Sequence, residues 1–459
     1  MPIQDDAVQG AAGAEAAPSP AGPPDLVTVI RSRRYLGALA LAAVIGAPIS
    51  ALAYGFLALV ATLQGFLFGD LPATLFADGT PAWWPVPWLV LCGLLTGATV
   101  RFLPGNGGHS PALGLRMGGA PPVDRELPGI ALAALTSLAL GSVLGPEAPL
   151  IAIGGGLAAL TVRLLRRDAP PAALTMMAAA GSFAAISTLL GSPVLGAFLI
   201  MEAAGIAGAA LTLVALPGLL ASGVGALVFV GLNSWTGFGS FSLALTSVPP
   251  AGPPTLATLL WAPVVGAAGA LLGWVIRWVG LSLRPLVHRS RVLVTTSLGL
   301  LIGLTATGYQ VATGRDFTQV LFSGQDALPE LVAHASAYPV GVLVLLAVAK
   351  VLAYGLSLAA FRGGPVFPAM FVGAVVGIAL SGLPGMALAP AIGMGIGATC
   401  TAMLRLPLTA TLLATVLMGS DGVQVTPQVV VAVVVAFVAT HLLPSPGPRS
   451  PVAPERAPS

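Results

Sequence analysis

The chain is 459 residues long, and 56% of its residues are hydrophobic while only 8% are charged. Soluble domains carry about 25% charged residues, so this composition excludes an ordinary soluble protein and indicates a polytopic membrane protein. The net charge of +3 comes from 19 basic and 16 acidic residues. This balance is not typical of a nucleic-acid-binding protein, and no nucleic-acid partner is expected.

The two ends of the chain differ from its middle. Residues 1–24 are rich in Ala, Pro and Gly, and residues 444–459 carry six prolines without apolar periodicity. Segments of this kind cannot bury enough apolar surface to fold. We therefore expect two disordered tails that flank a membrane domain at 25–443.

Between the tails, apolar stretches of spanning or near-spanning length alternate with short connections. Several stretches are shorter than the roughly 20 residues that a perpendicular span needs. Short helices interrupted by Gly and Pro are typical of transporters, whose helix ends meet near the bilayer midplane. The stretches lie at 36–66, 88–100, 129–144, 150–165, 174–190, 193–230, 256–279, 292–306, 340–360, 366–378, 386–404, 408–418 and 429–443.

Basic residues occur in clusters between the apolar stretches. Cytoplasmic loops of membrane proteins carry an excess of Arg and Lys, so the clusters predict the cytoplasmic side of a multi-pass protein of the cell membrane. The first cluster precedes the first apolar stretch, and the N-terminus is therefore predicted to be cytoplasmic. The clusters are Arg31, Arg33 and Arg34, then Arg163, Arg166 and Arg167, and then Arg284, Arg289 and Arg291.

Cysteine usage gives no sign of a disulfide framework or a metal site. The chain has two cysteines, Cys92 and Cys400, far apart and within apolar stretches. Isolated cysteines in apolar segments favour a role in core packing. No metal and no cofactor are expected.

The motif GPEAP at 145–149 places Glu147 between two apolar stretches. A charged group at membrane depth costs about 2.5 to 3.5 kcal/mol even on lenient insertion scales, so such residues usually line a pathway or relay protons. Pro149 fits the first turn of a helix. Glu147 then lies at a helix N-terminus inside the bilayer, where amides and the helix dipole attract an anion. The alternative is a carboxylate that only caps its own helix.

The chain also repeats a set of landmarks. The pattern G-x3-P-x4-G occurs at 145–154 and again at 364–373. The interval from Gly to Pro at 181–193 recurs at 395–407, and in both cases the proline opens an apolar stretch. Landmarks kept in the same order indicate two homologous halves, with a boundary near 235–255.

Two homologous halves would face each other around one pathway. The helix N-termini at Pro149 and Pro368 would then converge. Each N-terminus exposes N–H groups and the positive end of a dipole, so their convergence favours an anion.

Three motifs carry a resemblance to a known family. They are GNGGH at 105–109, GPEAP at 145–149 and GPVFP at 364–368. In this order they resemble GSGIP, G(K/R)EGP and GxFxP, the pore signatures of CLC-type chloride channels and chloride/proton exchangers. The similarity extends over about 36–443 and includes GSPVLGAFLIME and RLPLTATLLATVLMGSDG. It implies an all-α membrane protein with two inverted repeats of tilted, partly broken helices, and a homodimer with one pore per subunit.

The resemblance also implies a set of site residues. Asn106 stands where the family has an anion-coordinating Ser, and its side-chain amide can donate a hydrogen bond. Because Asn replaces Ser, fluoride, nitrate and other small anions stay open beside chloride. Main-chain N–H groups are expected to supply most of the other contacts with the ion. The gate is then Glu147, and the anion-binding residues are Asn106, Gly107, Ala148, Val366 and Phe367.

Two departures from the family bear on mechanism. Exchangers of the family carry a second glutamate near the cytoplasmic side, and alignment on PVLG at 193–196 puts Ala203 there, with Glu202 one residue earlier. Glu202 projects about 100° away on a helix, so it is either proton-linked or a solvated or interface carboxylate. The family's pore-closing Tyr near the C-terminus is also missing, since no tyrosine follows Tyr354. Both departures favour passive conduction over tight exchange.

The sequence therefore predicts a passive channel for chloride or another small anion, gated by Glu147. Proton-coupled anion exchange is the alternative within transport. A remote alternative is an intramembrane enzyme that uses His109, Ser110 and Glu147. No G-x-S-x-G or H-E-x-x-H motif supports catalysis, so an enzyme is not expected.

Overall fold

The computed structural model describes residues 26–115, 121–205, 208–237 and 250–445, together with residues 245 and 248. Every regular element in these ranges is a helix, which confirms the predicted all-α class. The predicted tail at 1–24 lies outside the described residues, as does the tail at 444–459 apart from its first two residues. The predicted boundary between the halves, at 235–255, is described only in part.

The described α-helices follow one another with short connections, several of which contain a turn of 3₁₀ helix. They are α1 (Leu26–Ile30), α2 (Arg33–Gly65), α3 (Leu71–Leu75), α4 (Pro85–Phe102), α5 (Leu127–Ala139), α6 (Glu147–Leu165), α7 (Pro171–Leu190), α8 (Pro193–Ala204), α9 (Ala209–Thr236), α10 (Leu256–Arg289), α11 (Arg291–Thr313), α12 (Ala327–Ala333), α13 (Val340–Ala360), α14 (Val366–Leu380), α15 (Leu388–Leu404), α16 (Pro407–Leu417) and α17 (Gly422–Leu442).

Nine helices among the described residues are long and apolar enough to cross a membrane, and four more, α8, α14, α15 and α16, are apolar but shorter. Each predicted apolar stretch corresponds to one helix, with one exception. The stretch 193–230 is wrong as a single element, because it forms α8 and α9. Between them Gly205 and Gly208 have φ angles of 60° and 64°. Glycine adopts this left-handed conformation at low cost, so the chain turns here instead of continuing as a helix.

Prolines mark the starts of several helices. α7, α8 and α16 begin with Pro171, Pro193 and Pro407. Pro149 and Pro368 lie in the first turns of α6 and α14. A proline in the first turn removes no helical hydrogen bond, because the N–H groups there have no partner within the helix. The predicted helix starts at Pro149 and Pro368 are thus close to the observed ones.

The repeated glycines lie where helices touch. Gly154 of α6 faces Gly181 of α7 so closely that a Cβ atom on either would overlap the carbonyl oxygen of the other. Gly373 of α14 and Gly395 of α15 make the same contact in the second half. Small residues allow such a close approach of membrane helices. The repeated spacing in the sequence therefore reflects one helix pair that occurs twice.

α13 carries a polar stripe on an otherwise apolar span. Lys350, Tyr354 and Ser357 are fully buried and lie on one face, because residues three or four apart are neighbours on a helix. The Lys350 Nζ atom donates to three backbone carbonyl oxygens of the loop at 319–322, at 3.1, 2.6 and 3.2 Å. The lysine thereby ties this loop to the protein interior.

The two cysteines lie in the core. Cys92 on α4 and Cys400 on α15 are both buried, and neither forms a disulfide. The Cys92 Sγ atom lies 3.3 Å from the carbonyl oxygen of Thr136, and the Cys400 Sγ atom lies 4.0 Å from that of Val366. Their burial agrees with the predicted role in core packing.

Candidate functional site

The loops that precede α6 and α14 meet backbone to backbone. The Gly145 N–H group donates to the Gly364 carbonyl oxygen at 2.8 Å, and the Gly364 N–H group donates to the Gly145 oxygen at 2.5 Å. This antiparallel pair joins residues of the GPEAP and GPVFP motifs. It brings the N-termini of α6 and α14 next to each other, so that amides of both helix starts can act on one group.

Glu147 fills the space between these two helix starts. It is fully buried, and its Oε1 atom accepts a hydrogen bond of 2.8 Å from the Phe367 N–H group. The Val366 N–H group belongs to the same first turn of α14. The carboxylate of α6 is therefore bound by the N-terminus of α14, and this contact goes beyond the capping of its own helix.

The second oxygen of the Glu147 carboxylate is held by steric fit and not by a hydrogen bond. Its Oε2 atom is buried and has no hydrogen-bond partner among the described residues. A Cβ atom at Gly145 or Gly364 would overlap the carboxylate oxygens, so a side chain at either position would displace Glu147 from its present place. A buried carboxylate oxygen without a partner is costly. Glu147 is thus seated in a close-fitting backbone cradle with part of its hydrogen-bonding capacity unused.

A cavity of about 860 Å³ opens beside this cradle. It touches Ala148 and Pro365, the chain neighbours of Glu147 and Val366, and runs along α6 as far as Gly155. The same helix ends in the basic cluster that predicts the cytoplasmic side. Further lining comes from the loops before α5 and from α7, α8 and α9, including Gly105, Gly108, His109, Ser110, Pro121, Val123, Glu126, Thr175, Ser182, Met201 and Val214.

Asn106 is placed differently from the other predicted anion ligands. Its Oδ1 atom accepts a hydrogen bond of 2.9 Å from Arg291 Nη1, and its backbone oxygen accepts from Arg362 Nε and Nη2 at 3.3 and 3.1 Å. The residue has a φ of 50°, in the left-handed region, which Asn tolerates better than most residues. Its neighbours Gly105 and Gly108 line the cavity, whereas the Asn106 side chain is engaged with arginine.

Some of the other residues of the GNGGH motif are buried, and others lie at the cavity wall. Gly107 is buried and has a φ of 68°, and a Cβ atom there would meet Ala133 and Val100. His109 and Ser110 lie at the cavity wall. The structure thus brings Glu147, Ala148, Val366 and Phe367 to the two joined helix starts, whereas the Asn106 side chain binds Arg291.

Glu202 lies at a different helix start. Its Oε1 atom accepts from the Leu408 N–H group at 3.0 Å, and its Oε2 atom accepts from the N–H and hydroxyl groups of Thr409 at 2.7 and 2.5 Å. Both donors belong to the first turn of α16. Glu202 therefore joins α8 to α16, with both carboxylate oxygens hydrogen bonded. This interhelical contact corresponds to the interface carboxylate, one of the two alternatives predicted for Glu202.

Three site residues were missed by the sequence analysis. The Tyr354 hydroxyl donates to the Pro365 carbonyl oxygen at 2.6 Å, the Ser357 Oγ atom accepts from the Val143 N–H group at 3.0 Å, and Arg362 holds the Asn106 backbone. A spacing of three residues between two polar groups in an apolar span was the available signal for Tyr354 and Ser357. It could not have told which loops they bind.

Comparison with known proteins identifies the family. Residues 112–441 match the sequence model of the family described as "Voltage gated chloride channel". The chain belongs to the voltage-gated chloride channel (CLC) family. The resemblance inferred from the three motifs is thereby confirmed, and it covers most of the membrane domain.

A curated relative and solved structures agree with this assignment. "Putative ion-transport protein YfeO" of Escherichia coli (strain K12 / DH10B) is 32% identical over 329 residues, which cover 70% of this chain and 73% of the relative. The crystal structure of a slow cyanobacterial Cl⁻/H⁺ antiporter matches with a TM-score of 0.70 at 21% identity, over 88% of this chain and 94% of that chain. A CLC-type fluoride/proton antiporter matches with a TM-score of 0.67 at 17% identity, over 89% and 97%. These structures confirm the predicted CLC-like fold.

Proposed function

We propose that this CLC-family protein passes chloride or another small anion across the membrane through a pore gated by Glu147. One observation carries the proposal: the buried Glu147 carboxylate accepts a hydrogen bond from the Phe367 N–H group at the start of α14. A carboxylate held by helix-start amides occupies the kind of site that these amides offer to a free anion. The Glu147 side chain and the transported anion would thus compete for one binding site.

This binding site is suited to both the closed and the open state of a gate. With its carboxylate bound, Glu147 fills the space between Gly145 and Gly364 and blocks it. The unpartnered Oε2 atom means that the closed position does not use every hydrogen bond the carboxylate can make. Protonation removes the charge that strengthens the bond from Phe367. Acid should therefore release the side chain and let an anion take its place.

The anion ligands in this proposal are main-chain N–H groups of Ala148, Val366 and Phe367. Ala148 also contributes to the wall of the 860 Å³ cavity, which would serve as the pathway on the predicted cytoplasmic side. Contributions from Gly107 and from the Asn106 side chain stay predictions. The Asn106 Oδ1 atom is occupied by Arg291, so only its amide N–H₂ group is available to an anion.

Passive conduction is the mode we propose. Ala203 stands at the position of the family's inner proton carrier, and the neighbouring Glu202 accepts three hydrogen bonds from α16. These bonds hold the Glu202 carboxylate against the first turn of α16, so both of its oxygens already serve a structural contact. The second candidate is proton-coupled exchange, which is favoured by the matched structures, because two of them are described as proton antiporters.

We further propose a homodimer in the cell membrane with the N-terminus in the cytoplasm. The family and the apolar helices support a multi-pass membrane protein. The orientation follows from the arginine clusters alone. Cysteine cross-linking between subunits, together with labelling of the N-terminus in intact and permeabilised cells, would test both statements.

The decisive experiment measures anion and proton movement together in liposomes that contain the purified protein. Chloride efflux is followed with an electrode while internal and external pH are recorded. Sustained chloride flux without proton movement supports the passive mode. Uphill proton movement driven by a chloride gradient would show that the protein is an exchanger and not a passive channel. The absence of any anion flux would contradict the proposed function.

A further inference from the structure

The α13 stripe contacts both loops that build the cradle of Glu147. Tyr354 binds the loop before α14 through the Pro365 carbonyl oxygen. Ser357, nearly one turn further along α13, binds the loop before α6 through the Val143 N–H group. Both side chains are fully buried. One helix face thus fixes the positions of two loops that lie more than 200 residues apart in the chain.

The contact of Tyr354 falls on a peptide unit that belongs to the anion site. The Pro365 carbonyl group and the Val366 N–H group are the two polar ends of one peptide bond. No cis peptide bond is described in the chain, and in a planar trans unit these two groups point in opposite directions. The Tyr354 hydroxyl holds the carbonyl end at 2.6 Å, while the N–H end belongs to the first turn of α14, next to the Phe367 N–H group that donates to Glu147 Oε1.

We propose that Tyr354 is a positioning residue that orients and strengthens the Val366 N–H donor of the anion site. This inference rests on the proposed function of that site. A hydrogen bond to one end of a peptide unit fixes its plane and polarises the group at the other end, which becomes a better donor. The tyrosine does not touch the anion, because its own hydroxyl hydrogen is directed to Pro365.

This assignment gives the last tyrosine of the chain a role distinct from pore closure. Its hydroxyl is buried and donates to the Pro365 carbonyl oxygen, and Tyr354 does not belong to the wall of the described cavity. Loss of the hydroxyl should therefore weaken anion binding without widening the pathway. The Pro365 oxygen would also lose its donor, so the peptide plane could rotate away from the ion.

The test uses Tyr354→Phe in a Glu147→Gln background, in which the gate is open and flux reports the anion site alone. Reconstituted proteins are assayed for flux against chloride concentration. We expect the half-saturating chloride concentration to rise about 2- to 13-fold, the range that one neutral hydrogen bond supports. The maximal flux should change much less, because the pathway keeps its width.

Tyr309→Phe is the matched control. Tyr309 is also buried, and its hydroxyl donates to Gln319 Oε1 at 2.7 Å, away from the cradle. It should lose a similar hydrogen bond and leave the half-saturating concentration unchanged. If both tyrosine variants shift this concentration equally, or if neither does, the inference is wrong and Tyr354 is a packing residue.

A second variant covers the case in which Tyr354→Phe does not fold. Replacement of Tyr354 by 3,5-difluorotyrosine keeps the ring and the hydroxyl but makes the hydroxyl a stronger donor. The half-saturating chloride concentration should then fall below that of the background protein, and an unchanged or higher value contradicts the inference. If the background Glu147→Gln protein itself conducts no anion, the proposed function fails instead, and the two failures are distinguishable.

Discussion

Two carboxylates of the first half of the chain lie on helix starts of the second half, yet they are bound in different ways. Glu147 meets the start of α14 and receives one hydrogen bond, from Phe367. Glu202 meets the start of α16 and receives three, from Leu408 and Thr409. One Glu147 oxygen has no partner among the described residues, whereas both Glu202 oxygens are occupied.

Under the proposed function, this difference separates a carboxylate that moves during gating from one that stays bound. Release of Glu147 breaks one charge-assisted hydrogen bond and frees a binding site beside a cavity. Release of Glu202 would break three such bonds and detach α8 from α16. Helix starts attract carboxylates in both cases. The proposed gate, Glu147, thus differs from the interhelical contact, Glu202, in the number of its hydrogen-bond donors and in the space next to its carboxylate. This contrast can be tested by mutation.

The largest effect is expected at Glu147. Glu147→Ala removes the group that competes with the anion, and Glu147→Gln mimics its protonated form. Both variants should raise anion flux at neutral pH about tenfold or more, because a hydrogen bond to a charged group contributes about 1.5 to 3 kcal/mol. Flux should also become nearly independent of external pH. Liposome flux measured between acidic and neutral external pH checks this.

Glu202→Ala is the control for that experiment and should keep the wild-type pH dependence. If Glu147 only caps its own helix, Glu147→Ala lowers stability by about 1 kcal/mol and leaves the pH dependence as it was. A stable Glu147→Ala protein with wild-type flux and wild-type pH response would contradict the gate assignment.

The second effect is a loss of stability at Glu202. Glu202→Ala leaves two backbone donors and one hydroxyl of α16 without their acceptor. We expect the free energy of unfolding to fall by about 2 kcal/mol, as for the loss of charged hydrogen bonds at a helix start. The midpoint of thermal unfolding in detergent should fall accordingly. Glu330→Ala, at an exposed position on α12, should have little effect.

The same residue tests the coupling mode. If the wild-type protein moves protons in fixed ratio with chloride, Glu202 becomes the candidate carrier. Glu202→Gln should then abolish proton flux and spare anion flux. Under the passive mode, this variant differs from wild type in stability and not in coupling, so the two readings give separate results.

The smallest effect is expected at Asn106. Asn106→Ser restores the side chain that the family signature has at this position. If Asn106 contributes one neutral hydrogen bond to the anion, relative permeabilities among chloride, fluoride and nitrate should change about 2- to 13-fold, equivalent to about 0.5 to 1.5 kcal/mol. Bi-ionic reversal potentials in planar bilayers measure these ratios. Conduction itself should persist.

The structure also suggests a structural role for Asn106, and the Asn106→Ser variant distinguishes this role from anion binding. Its Oδ1 atom binds Arg291, so serine would also remove a contact between the loop and α11. Unchanged permeability ratios with a lower unfolding temperature would assign Asn106 to this contact and remove it from the anion site. Asn233→Ser on α9 is the matched control for an asparagine elsewhere in the membrane domain.

Much of the fold could be predicted from local signals. Apolar stretches gave the helices, because length and hydrophobicity suffice to define a membrane span. Prolines gave the starts of α6 and α14, and the repeated glycines marked the contacts of α6 with α7 and of α14 with α15. The prediction failed at Gly205 and Gly208, where left-handed turns divide a continuous apolar stretch into α8 and α9.

The sequence by itself determined that this is a membrane protein of the CLC family with Glu147 at a helix start. Composition, proline positions and motif order are local properties, and they need no knowledge of distant contacts. Only the tertiary structure decided which helix each carboxylate meets. Phe367 lies 220 residues from Glu147, and Thr409 lies 207 residues from Glu202. Such partners are set by the packing of the two halves against each other, because a hydrogen bond depends on separation in space and not on separation along the chain.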